Sequence, residues 1–349
     1  MMTMKIKEIA IPVILMMVGI CSCNSPDSRY LRSLNVEHEF LNAVDSISLE
    51  PYGVYAPNKI VRVNDSLMVL SLWKGDHHLL MLNIDEKDCN PLFYIKRGRG
   101  PLEIAQGGSL HMFGNSVVYY DVTTSNAVKI DVLKSLTMQK TVLDTLCCFA
   151  QRFPKPIFLR SCDKGYISCN MADDAYWYSL YDLKGNLVSN VDAIQYDILK
   201  QSRDCRISIM ASSLYCVDPT STKVCVANVV SPSISFAYIV DSALHEFKRY
   251  EISPPTIKSG GNGLSHDNIS AFQDIACDSD YVYLLYSGQM LQNDTIPSSE
   301  CKHLIQYSWE GKPIKHFVLD KNICSICIYD NELLGCSEHP EAKIFKFIL

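Results

Sequence analysis

Hydrophobic positions in this chain come in short runs broken by Gly, Asn, Asp and Ser, and long stretches of helical periodicity are almost absent. Runs of that length rich in Val, Ile, Tyr and Phe predict β-strands joined by tight turns. One kind of strand recurs: "DSLMVLSL" from Asp65, "NSVVYYD" from Asn115, "KGYISCN" from Lys164, "TKVCVAN" from Thr222, "DYVYLLY" from Asp280 and "NELLGCS" from Asn331. Each opens on a turn or polar residue and becomes apolar. The residues at matching places, Leu67, Val117, Tyr166, Val224, Val282 and Leu333, lie between 49 and 58 positions apart. A period near fifty in an all-β chain predicts a propeller, whose sheets bury one another's faces. Six copies predict a six-bladed β-propeller with four-stranded blades.

Single blades can be read in the same way. Leu214–Val217, Lys223–Asn228, Ile234–Val240 and His245–Glu251 predict the four strands of the fourth blade, separated by turn pairs such as Asp218-Pro219 and Asp241-Ser242. "YDLKGNLV" from Tyr181 and "YSWEGKPI" from Tyr307 predict hairpins in which Gly185 and Gly311 take the left-handed position. The last blade lacks a strand: after Asn331–Ser337 and Ala342–Phe347 the sequence ends at Leu349. Phe40–Leu49, which precedes the first repeat, is therefore expected to pair as the outer strand of the sixth blade and close the ring.

The N-terminal residues carry a different pattern. Lys5 and Lys7 precede an apolar run, Ile9–Ile20, interrupted by Pro12 and Gly19. Twelve helical residues reach about 18 Å against a hydrocarbon core of about 30 Å, so the run suits a cleaved signal better than a permanent span. Ile20-Cys21-Ser22-Cys23 resembles a bacterial lipobox, which implies residues 1–22 as a lipoprotein signal peptide and Cys23 as the lipidated first residue. Ordinary secretory cleavage is the alternative. Residues 23–38 would then be a polar tether and 39–349 the propeller, with a membrane as partner through the N-terminal lipid. The implied location is the cell envelope, in the outer membrane.

Gly98-Arg99-Gly100-Pro101-Leu102-Glu103-Ile104, taken with the lipobox and the six repeats, resembles the exported six-bladed propellers of the Bacteroidetes, described as TolB-like or NHL-like. That family commonly has G-R-G-P-G-E-F after the first blade, and this chain departs from it at Leu102 and Ile104. The resemblance implies the fold and an exported location, and carries no chemistry.

A formal net charge of −6 argues against nucleic acid as a partner, because phosphate binding needs a positive surface. The 15 cysteines do not have the spacing of a disulfide framework. Cys169, Cys225, Cys277 and Cys336 sit inside apolar strands, where a free thiol packs as a small hydrophobe, although one or two disulfides stay open. Cys324-Ser-Ile-Cys327 has no second paired motif to complete a zinc site. G-x-S-x-G, H-E-x-x-H and a Walker loop are all missing. Ser71–Lys74 matches S-x-x-K, but at the end of a strand rather than on the helix that chemistry needs. Asp76-His77-His78 reads as a turn, since neighbouring strand residues point apart. No metal or cofactor is expected. Pairs such as Asp45-Ser46 and Asp241-Ser242 match a Bacteroidetes O-glycosylation signal and equally match ordinary turns.

The remaining candidates lie in three connections between blades, which a propeller gathers on one face around the channel mouth. "YIKRGRGPLEIAQGG", Tyr94–Gly108, contains a G-x-G but leads into a strand rather than the helix of a phosphate loop. Arg97 and Arg99 are candidates there, with Glu103 expected to hold one of them. Arg203 and Arg206 follow in Gln195–Arg206, and Lys258, His266 and Asp267 in Ser253–Ser270. Loops on a rigid scaffold are where function sits. These residues point to a monomeric envelope module that binds a glycan, peptide or protein. The alternative is a propeller enzyme, a lactonase, hydrolase or lyase, with its site at the channel mouth.

Overall fold

The computed structural model of this protein describes residues 27–84, 92–93, 95–100, 103–149, 156–170, 175–197, 202–258, 263–291 and 299–349. The expected signal peptide, Cys23, Pro101 and Leu102 lie outside them. The described residues open with helix α1 (Asp27–Leu34) and strands β1 (His38–Leu41) and β2 (Asp45–Ser48). Blade one comprises β3 (Pro57–Arg62), β4 (Leu67–Leu72), β5 (Leu79–Asn83) and β6 (Leu92–Phe93). Blade two comprises β7 (Gly107–Phe113), β8 (Ser116–Asp121), β9 (Asn126–Ile130) and, after helix α2 (Val132–Met138), β10 (Leu143–Cys148). Blade three comprises β11 (Pro156–Cys162), β12 (Gly165–Asn170), β13 (Tyr176–Tyr181) and β14 (Leu187–Asp192). Helix α3 (Arg203–Ala211) leads into blade four, β15 (Ser213–Val217), β16 (Lys223–Asn228), β17 (Ser233–Val240) and β18 (Ala243–Glu251). Blade five comprises β19 (Phe272–Cys277), β20 (Tyr281–Tyr286), β21 (Cys301–Ser308) and β22 (Pro313–Ile323), and blade six β23 (Ser325–Tyr329), β24 (Glu332–Ser337) and β25 (Lys343–Ile348).

The recurring apolar strand is the second strand of every blade. β4 and β8 are buried along their whole length, because a neighbouring blade covers each of their faces. Side chains alternate between those neighbours: Val224 and Val226 of β16 face blade three, while Cys225 and Ala227 face blade five. Outer strands such as β14 are covered less, with Leu187, Val188 and Asp192 exposed. The core is thus a ring of six wedges, one between each pair of blades.

The ring closes as the sequence suggests, with one addition. β2 pairs antiparallel with β25, Asp45 opposite Lys346 and Ser48 opposite Lys343, and supplies the outer strand of blade six. The earlier part of the expected strand does something else. Phe40 and Leu41 belong to β1, which pairs parallel with β22 and makes blade five five-stranded. β22 is 11 residues long and would otherwise leave an open edge.

The expected tether is structured from Asp27. Tyr30 of α1 is 1% exposed and enters the wedge between blades four and five. Its hydroxyl is 2.9 Å from that of Tyr307, and its ring packs against Phe272 and Tyr286. Leu34, one turn on, is buried in the same wedge, so two side chains dock a segment that reads as polar.

Turn chemistry follows expectation. Gly185 and Gly311 have φ of 77° and 73°. Asp241 and Ser242, at 50° and 60°, form the tight turn between β17 and β18. The described cysteines are free thiols; Cys162, Cys169, Cys216, Cys225 and Cys336 are fully buried. No described helix is long and apolar enough to cross a membrane.

Candidate functional site

The first strand of each blade lines the central channel, and at the end where these strands begin there is a cavity of about 430 Å³. Five of them contribute to it: β3 through Asn58 and Lys59, β7 through Ser109 and His111, β11 through Phe158 and Arg160, β15 through Leu214, and β19 through Gln273 and Asp274. Cys324, just before β23, brings in the sixth blade. Trp73, in the turn after β4, stands at the rim with 62% of its surface exposed.

One wall is locked. Lys59 Nζ is ion-paired with Asp274 Oδ1 and lies 3.4 Å from the carbonyls of Ile275 and Ile326. Asp274 Oδ2 accepts from Ser325 Oγ and from the Ile326 N–H, both at 2.7 Å. This network ties blades one, five and six together at the axis and occupies both charges.

The other wall holds a buried donor that has no partner among the described residues. His111 is 1% exposed, and its Nε2 accepts the Ser161 N–H at 3.0 Å. The ring hydrogen is therefore assigned to Nδ1, which is buried and has no partner. Burial, reinforced by Arg160 and Lys59, holds this imidazole well below its usual pKa, so it is neutral. Arg160 lines the same cavity, half-buried. Among the described residues no carboxylate lies within ion-pair distance of it. Nor do any three His, Cys, Asp or Glu side chains among them come together in a way that could hold a metal ion.

The sequence-derived candidates lie elsewhere. Arg97 folds back on the turn of its own blade, with Nε donating to Gly75 O at 2.8 Å and its second guanidinium nitrogen to Leu72 O. His78 joins the same clasp, its Nε2 donating to Ile104 O at 2.9 Å, and burial with the adjacent Arg97 lowers its pKa. Glu103 Oε2 accepts the Gly100 N–H at 2.8 Å, so it holds the loop backbone rather than an arginine. Arg99 is exposed. The G-R-G motif is a backbone clasp between blades one and two.

Arg203 and Arg206 sit on α3 rather than in a loop. Ser202 Oγ accepts the Cys205 N–H and caps that helix, while Cys205, Ile207, Ile209 and Met210 bury its inner face. This helix is only nine residues long, too short for its period to stand out. Lys258 and His266 are exposed. Asp267 lines a second cavity, of about 560 Å³, together with Arg29 and Arg32 of α1. None of the eight candidates lines the channel cavity.

The residues that do line it had a sequence signal of their own. Lys59, His111, Arg160 and Asp274 each place a titratable side chain on the strand just before the recurring one.

The sequence model of a family described as TolB-like 6-blade propeller-like matches residues 39–331. Similar solved structures include a putative exported protein from Bacteroides fragilis, 11% identical over 85% of this chain and 90% of that one, with a TM-score of 0.52. Another is a protein of unknown function from Bacteroides thetaiotaomicron, 8% identical over 88% and 73% of the two chains, with a TM-score of 0.53. Regucalcin from Agrobacterium tumefaciens, a calcium-binding protein, is 12% identical over 88% and 94%, with a TM-score of 0.50. At such identities these structures share the fold alone. No curated protein sequence matches this chain.

Proposed function

The chain belongs to the TolB-like six-bladed propeller family, and from that premise we propose that it is a binding module of the cell envelope, anchored through a lipid on Cys23, that holds a ligand at the mouth of its central channel. The observation that carries this reading is the channel cavity. At about 430 Å³ it has the size of a small-ligand site, it is formed by rigid inner strands, and it combines aromatic surface with a few polar groups. Trp73 and Phe158 supply the apolar surface, and Asn58, Gln273, Arg160 and His111 the polar groups. Of the two carboxylates at its wall, Asp274 and Glu338, Asp274 is already neutralised by Lys59 and accepts three further hydrogen bonds, from Ser325 and the Ile275 and Ile326 N–H groups, which suits a structural post better than an acid or base. The envelope location rests on Lys5, Lys7, Ile9–Ile20 and the lipobox-like residues before Cys23.

Binding to glycan and peptide arrays tests the reading. The wild-type chain should capture a saccharide or peptide, and Trp73→Ala, an exposed change that leaves the core intact, should weaken that capture at least about tenfold. Capture unaffected by Trp73→Ala would place the site elsewhere. Turnover of an ester or lactone panel that is lost in Arg160→Gln would replace the module with an enzyme.

A further inference from the structure

We propose that the channel ligand is an acidic saccharide, a uronic-acid-containing glycan whose carboxylate is bound by Arg160 and the Nδ1–H of His111 while a sugar ring lies on Trp73; this rests on the channel mouth being the ligand site. Two cations line the cavity, and they differ in what they face. Lys59 is paired with Asp274 and spans carbonyls of two blades. Arg160 has no carboxylate partner among the described residues, yet β11 keeps it half-buried at the channel wall.

His111 supplies the second observation. Its Nδ1 is a buried donor with no acceptor, a state native proteins seldom tolerate without a ligand or water to fill it. Its neutrality is fixed from the other side, where Ser161 N–H occupies Nε2. Arg160 immediately precedes Ser161, whose N–H bonds His111 at 3.0 Å, and both donors line the same cavity. A guanidinium fork beside a fixed N–H suits a carboxylate, which accepts through two oxygens.

The rest of the lining favours a sugar over a peptide. Trp73 offers an exposed indole at the rim, and Asn58, Gln273 and Ser109 offer amides and a hydroxyl for ring hydroxyls. A pyranose presents an apolar face and an edge of hydroxyls, which matches an aromatic surface bordered by amides.

Calorimetric titration of the full chain with oligogalacturonate, its methyl ester, a neutral maltooligosaccharide and an acidic peptide tests the proposal. The acid should bind, the ester should bind about tenfold or more weakly, and Arg160→Gln should bring acid and ester to the same affinity. Arg160→Lys keeps the charge and loses the fork, and should recover only part of the difference; melting curves on both variants confirm folding. Equal binding of acid and ester by the wild type, with both lost in Trp73→Ala, would overturn the carboxylate while leaving the channel site standing. Preferential binding of the acidic peptide would overturn the saccharide. Binding of the acid that neither Arg160→Gln nor Trp73→Ala changes would overturn the channel site itself.

Discussion

Acid should loosen this propeller through one side chain on blade five. His316 of β22 is 2% exposed, with its Nδ1 buried and unpartnered and its Nε2 3.0 Å from His303 Nδ1. His38 of β1 lies directly opposite in register, its ring centroid 4.6 Å away. Burial, then His303 and His38, lowers the His316 pKa to about 4 from 6.5. His303 is also lowered, by burial and by His38 and Lys302. Nearby, Lys315 is already paired with Glu39 at 2.7 Å. A folded-state pKa below the unfolded one means that the unfolded chain takes up protons first. Stability is then full above pH 6.5 and falls as pH drops from 6.5 towards 4. Integrated to pH 5, the difference between about 4 and 6.5 amounts to about 2 kcal/mol, approaching about 3 kcal/mol below pH 4. Urea unfolding of wild type and His316→Asn at pH 7.5 and pH 5 measures it. The wild type should lose about 2 kcal/mol more than the variant between the two conditions. An equal loss in both would refute the assignment of the acid sensitivity to this cluster.

Two further outcomes follow from the ring. Removing residues 38–49 strips both N-terminal strands together with Leu41, 7% exposed on blade five, and Leu49, 0% exposed; loss of the two leucines alone is worth at least about 3 kcal/mol, and an unchanged melting temperature would exclude the closure. Gly165, at φ +142°, starts β12, and a Cβ there would sit 1.9 Å from Tyr181 O, so Gly165→Ala should cost at least about 2 kcal/mol in urea unfolding, whereas a change under about 0.5 kcal/mol would show that the hairpin shifts freely.

The candidate site was harder to read than the fold, and the reason is the same arrangement that made the fold legible. Strands such as β16, covered on both faces, become continuous apolar runs, and these repeat visibly. Charged loop residues attract notice, yet Arg97 proves to be satisfied by carbonyls at the end of β4 and the turn after it, and Glu103 by the backbone of its own connection. The polar channel residues come one or two to an inner strand, and these groups are separated by about a blade's length of sequence or more. They form a site only when the ring is closed. Helices α1 and α3 escaped because eight or nine residues make little more than two turns, too short to stand out in a chain of strands.

By itself, the sequence determined the strands, the six repeats, the left-handed turns and the need for an N-terminal strand to complete blade six. These follow from local alternation and turn chemistry, which neighbouring residues settle among themselves. Tertiary structure alone decided that β1 would extend blade five, that Tyr30 would dock α1, and that Lys59 would neutralise Asp274 and leave Arg160 and His111 facing the cavity. Those outcomes depend on which blades become neighbours across the axis. Burial removes water as a partner there, so a side chain's charge and hydrogen bonds are set by residues distant in the chain.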